Sequence, residues 1–153
     1  MVQIERQGPP MTPTILNVVE SRMGIRLPME YRGFLLRSNG GKPRPGYVHI
    51  QNMPNNPIAN VVDFFGINMP EEIDDVEWNY DHRPDQLPDG WIPIGRTESG
   101  DMLVLVTCRD IIGTIWLWDY YGEHTEHSHE RRDLFMVSAD IDSLLLELHD
   151  WHP

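Results

Sequence analysis

Three histidines and three glutamates crowd one short stretch of this chain: Glu123, His124, Glu126, His127, His129 and Glu130. Imidazole and carboxylate both bind zinc, so the cluster has the donor chemistry of a metal site. A structural metal site also needs ligands held in place by a second layer of hydrogen bonds. No residue pattern here supplies that layer, and the stretch reads as a solvated polar loop with no metal bound. His129-Glu130-Arg131-Arg132-Asp133 resembles an HExxH zinc motif with Asp in place of the second histidine. That motif works on a helix, where positions i and i+4 share a face. Here a strand is expected at once after it, and the match is read as coincidence.

Other reactive side chains stand alone. Cys108 follows the apolar run Met102 to Val106 and reads as a small, half-buried residue, because a nucleophile needs a base beside it. Ser99 sits in Glu98-Ser99-Gly100, which lacks the first glycine of the G-x-S-x-G elbow. Asp101, Asp110 and Asp119 fall at expected strand ends, where aspartate forms turns. The chain has no G-x-G-x-x-G, no P-loop and no C-x-x-C. It is therefore read as a non-enzyme without a cofactor.

Charge is more informative. Between Glu71 and Asp89 stand Glu71, Glu72, Asp74, Asp75, Glu77, Asp81, Asp85 and Asp89 against Arg83 alone, which is −7 of the chain's net −12. If Glu71 to His82 is one helix at about 100° per residue, Ile73, Val76 and Tyr80 form its inner face. Glu71, Asp74, Asp75, Trp78 and His82 then point outward. A tryptophan ringed by acids suits an anchor residue with steering charges around it. The alternative is a solvated helix with Trp78 folded back on a neighbouring loop. The candidate partner-binding residues are Glu71, Asp74, Asp75, Trp78 and Asp81. The acids are expected to be exposed, Trp78 partly open, and Ile73, Val76 and Tyr80 buried.

The rest of the chain must position this segment. With 153 residues, 40% hydrophobic and 24% charged, it is expected to form one globular domain. Residues 1–11 read as a flexible arm ahead of a domain over 12–153. Thr12-Pro13 reads as an N-cap followed by proline at the first helical position. Met11 and Leu16 stand at staple spacing; Ile15, Val18, Val19 and Met23 form a helical stripe, and Gly24 ends it. A second helix from Pro28 to Ser38 buries Tyr31, Phe34 and Leu35 and is stopped by Asn39-Gly40-Gly41. Strands are expected over Tyr47–Gln51, Val61–Phe65, Ile92–Gly95, Met102–Thr107, Thr114–Trp118 and Leu134–Val137. The run 102–106 is apolar on both faces, as in a central strand. Asp140 caps a last helix with Ile141, Leu144, Leu145 and Leu148 on one side. The fold class is α+β: an antiparallel or mixed sheet flanked by helices.

This succession resembles the SUKH superfamily, the Smi–Knr type of domain. The resemblance lies in Leu27-Pro28, Tyr31, Phe34-Leu35 and Asn39-Gly40-Gly41. It continues through Leu87-Pro88, Ile92-Pro93-Ile94-Gly95, Gly100-Asp101 and Trp118-Asp119, and closes with Val137 to Leu148. It spans about residues 12 to 149; the acidic stretch after Pro70 and the histidine loop are outside it. The resemblance implies a non-catalytic binding domain: an immunity protein that holds a cognate toxin inactive, or, in its fungal branch, a scaffold of cell-wall synthesis. A net charge of −12 disfavours nucleic acid and favours a basic protein partner. No apolar run is long enough to span a membrane. The first ten residues carry no apolar signal core, and a lone Cys108 cannot form an intrachain disulfide. These features set the expected compartment as the cytoplasm.

Overall fold

The computed structural model describes residues 2–54, 57–119 and 134–151. It is an α+β domain. In chain order the elements are β1 (Gln3–Glu5), α1 (Pro13–Met23), α2 (Met29–Arg37), β2 (Lys42–Arg44), β3 (Tyr47–His49) and β4 (Ile58–Phe64). There follow α3 (Val76–Asp81), β5 (Trp91–Thr97), β6 (Met102–Val106), β7 (Ile115–Trp118), β8 (Leu134–Ser138) and α4 (Ile141–Glu147). Strands β3 to β8 form a six-stranded sheet in sequence order, every neighbouring pair antiparallel.

The helix ends are set by the residues that mark them. The Thr12 hydroxyl accepts the Ile15 N–H at 3.2 Å, and Gly24 closes α1 at φ 68°, a conformation that penalises any side chain. Leu16 and Val19 are sealed in the core, whereas Val18, expected in the buried stripe, is 50% exposed. The helix turns Leu16 rather than Val18 into the core. Tyr31, Phe34 and Leu35 are buried as expected. Asp140 caps α4 by accepting the Ser143 N–H at 2.7 Å.

One large apolar cluster joins side chains of all four helices to one face of the sheet. Strand β6 alternates between two environments. Leu103 and Leu105 enter that cluster, while Val104 joins Leu87 and Trp118 in a smaller one. This alternation explains a strand apolar on both faces.

A flexible arm is expected over residues 1–11; its described part, residues 2–11, makes specific contacts with the domain. Ile4 pairs with Pro43 in an antiparallel β1–β2 ribbon, Gly8 N–H donates to Asn39 C=O at 2.8 Å, and Met11 is buried. The anchor is Asn39, itself 3% exposed. Its amide nitrogen donates to Pro9 C=O at 2.7 Å and Ile67 C=O at 2.9 Å, and its oxygen accepts Ile67 N–H at 2.8 Å. The motif that stops α2 thus also clamps the N-terminal segment to the loop leading into the acidic stretch.

Candidate protein-binding surface

The acidic stretch is not one helix. Glu72–Asp74 is a single 3-10 turn, Asp75 has extended backbone (φ −100°, ψ 130°), and α3 begins only at Val76. The break comes from bonds that Asp75 and its neighbours make. Gly66 N–H donates to Asp74 C=O at 2.9 Å, and Val76 N–H donates to Gly66 C=O at 2.8 Å. Asp75 Oδ1 accepts Trp78 N–H at 3.0 Å and its Oδ2 accepts Met69 N–H at 3.2 Å. Aspartate is a strong N-cap because its carboxylate satisfies N–H groups that the helix cannot.

This break alters the face derived from a continuous helix. Val76 and Tyr80 are buried as expected, but Ile73 is 55% exposed. The extended residue at Asp75 resets the helical phase, so the 100° count does not cross it. Asp74 and Asp75, expected in solvent, are half-buried. Asp74 is paired with Arg96, which also holds Asp63 at 3.2 Å and lies 5.3 Å from the Phe65 ring centroid. The buried Asn79 amide donates to Ile73 C=O at 3.0 Å and Asp75 C=O at 2.8 Å, bracing the turn from beneath.

Other acids of the stretch are also engaged. Glu77 accepts two bonds from Arg22 at the end of α1, at 2.8 and 3.1 Å. These bonds and the carboxylate's charge raise the Arg22 pKa above its ordinary value. Arg83 pairs with Asp89, donates to Tyr80 C=O at 2.8 Å and covers the Tyr80 ring at 3.9 Å. The Tyr80 hydroxyl accepts Gly90 N–H at 2.9 Å. Arg22 and Arg96 were invisible to the sequence reading, because residues 55 and 22 positions away from their partners carry no local signal.

What remains free is narrower and more useful. Glu71, Glu72, Asp81 and Asp85 are exposed and form no ion pair among the described residues. Trp78 is half-buried and stacks on His82 with ring centroids 4.1 Å apart, His82 Nδ1 lying 2.8 Å from Trp78 C=O. Of the five candidate binding residues, Glu71 and Asp81 are open, Trp78 is partly open, and Asp74 and Asp75 hold the segment in shape.

The Cys108 thiol contacts Asp89 C=O at 3.7 Å, and Ser99 Oγ lies 3.4 Å from Thr97 Oγ1. Asp101 and Asp119, expected as turn formers at strand ends, stand at facing ends of β6 and β7 and are 1% and 0% exposed. Among the described residues no cluster of three or more histidines, cysteines or acids is placed to hold a metal. His124, His127 and His129 lie outside the described residues. No helix among the described residues is long and apolar enough to cross a membrane.

The order of elements now meets an independent comparison: the SMI1 / KNR4 family (SUKH-1) model matches residues 10–147. The chain belongs to the SMI1/KNR4 family. The match takes in every element from α1 to α4 and includes the acidic stretch. No curated protein and no solved structure matches the chain significantly. SMI1/KNR4 membership fits a non-catalytic SUKH domain.

Proposed function

We propose that this SMI1/KNR4 protein is an immunity protein, one that neutralises a basic, nucleic-acid-acting toxin by direct binding in the cytoplasm. The observation that supports it most is the set of exposed, unpaired acids Glu71, Glu72, Asp81 and Asp85, which bracket the stacked Trp78 and His82 along the chain. They sit on a segment whose other acids are engaged, Glu77, Asp89 and Asp74 by Arg22, Arg83 and Arg96 and Asp75 by backbone N–H groups. Internal pairing of those acids keeps the scaffold rigid, while the free ones leave a negative field for steering. A toxin that grips nucleic acid needs a basic cleft, and an acidic protein seated there excludes the substrate. The stacked Trp78 provides the apolar contact that charge alone does not.

The experiment is neutralisation of the toxin encoded beside the gene, first by the natural protein and then by a variant with Glu71, Glu72, Asp81 and Asp85 changed to lysine. Loss of protection in a variant that melts normally supports the reading. Undiminished protection moves the binding surface elsewhere, and absence of any neighbouring toxin leads to the scaffold role instead.

A further inference from the structure

The six-stranded sheet is open, and its two edges, β3 and β8, line one groove of about 570 Å³. His49 stands on one wall, Met136, Val137 and Ser138 on the other, and Glu147 at the end of α4 closes one side. On β3 the backbone groups alternate in direction. Val61 N–H donates to Gly46 C=O at 2.8 Å and Ile50 N–H donates to Pro57 C=O at 2.7 Å, so even-numbered residues bond toward β4. Tyr47 and His49 therefore turn their N–H and C=O groups outward.

The first outward pair is already taken by a strand-like segment. Tyr47 N–H donates to His149 C=O at 3.1 Å, and His149 N–H donates to Tyr47 C=O at 2.8 Å, an antiparallel bridge. One rung further, His49 has no backbone partner among the described residues. The chain that would continue the bridge is wound into α4, which ends at Glu147. Across the groove β8 pairs only with β7 among the described residues, and Met136 is 46% exposed. Ser138 is 5% exposed, and its hydroxyl has no hydrogen-bond partner among the described residues.

We infer that this groove takes an extended segment of a partner protein, added as a strand beside His49, with basic residues alternating with apolar ones. The occupant is a strand because an open sheet edge offers backbone donors and acceptors, and residue 149 of this chain already uses the adjacent rung that way. Alternation follows from the period of two in a strand: apolar side chains meet Met136 and basic ones meet Glu147, within a chain of net charge −12. This inference does not depend on the acidic surface at α3.

The probe is a short, capped, fluorescent peptide alternating lysine and valine, titrated by anisotropy, with a proline-broken form as control. His49→Pro removes an outward N–H and no β3–β4 bond, so the fold survives, as circular dichroism and melting verify. Saturable binding is expected in the natural protein and in His49→Ala. His49→Pro is expected to weaken it about ten-fold, through the loss of one hydrogen bond. Amide resonances of His49 and of residues 136–138 should move with peptide. Absence of saturable binding overturns the inference, as does equal binding by His49→Pro. So does binding lost only when Glu71, Glu72, Asp81 and Asp85 are reversed. A natural dimer that His49→Pro converts to monomer assigns the groove to a second copy of the chain and overturns it as well.

Discussion

The carboxylate of Asp75 accepts the backbone N–H of Trp78 at 3.0 Å, and this bond fixes where α3 begins. It also decides what the acidic stretch can display. Because Asp75 sits in extended backbone, the 3-10 turn before it and the helix after it turn their faces independently. Charge that looks like one surface in sequence is divided between structure and solvent.

Replacing Asp75 with alanine removes both the α3 cap and the bond from Met69 N–H. The expected cost is about 1 to 2 kcal/mol, read as a lower urea midpoint at unchanged slope. Asp75→Asn retains an acceptor for the cap and should recover most of the loss. Equal stability of the alanine variant would show that the Gly66 backbone bonds alone hold the turn.

Asn39 is the second point where one side chain ties distant segments. Asn39→Leu leaves Ile67 N–H and the carbonyls of Pro9 and Ile67 without their bonds. With about 1 to 3 kcal/mol for each stranded buried group, and partial relaxation, a loss of roughly 2 to 4 kcal/mol is expected. Amide exchange should then quicken in β1 before the central strands, since the ribbon loses its clamp.

Most of the architecture was legible because its signals are local. Thr12-Pro13, Gly24, Asp140 and the alternation of β6 each act within a few residues, so caps and strands could be read directly. The acidic face failed for the opposite reason. Its outcome depends on Gly66, Asn79, Arg22 and Arg96, which reach it from other elements. Helical counting assumes one unbroken screw, and nothing in Glu71 to Asp75 announces that a glycine carbonyl will capture Val76. The contacts of the N-terminal segment were likewise not legible: its proline-rich composition looks loose, and Asn39, which bonds to it, stands some thirty residues on.

Tyr31 supplies a pH prediction. Its hydroxyl is buried without a hydrogen-bond partner among the described residues. Burial, and secondarily the negative charge of Asp75, raise its pKa well above the ordinary value. Between the unfolded value, about 10, and the folded one, the folded state keeps a proton that the unfolded state has lost. The stabilisation is complete below about pH 10 and falls above it by up to about 1.4 kcal/mol per pH unit. Tyr31→Phe should remove that component of the alkaline slope. It should cost little at neutral pH, since no hydrogen bond is lost. Parallel alkaline melts of the two proteins check both statements.

The last prediction separates steering from anchoring. Changing Glu71, Glu72, Asp81 and Asp85 to lysine touches no described ion pair, so each change should alter stability by no more than about 0.5 kcal/mol. Against a basic partner the four reversals should lower the association rate, and the remaining rate should lose its dependence on salt. Trp78→Ala acts differently, because its stack on His82 presents contact area rather than charge. It should leave association nearly unchanged and raise the dissociation rate. Asp74→Lys is the informative contrast. It breaks the pair with Arg96 and should lower thermal stability even without any partner, which the four surface reversals should not do. Stopped-flow rates at two ionic strengths, set beside melting temperatures, distinguish these cases. A Trp78→Ala variant that slows association as the reversals do would place the tryptophan among the steering elements, and the division of labour proposed for this face would fail.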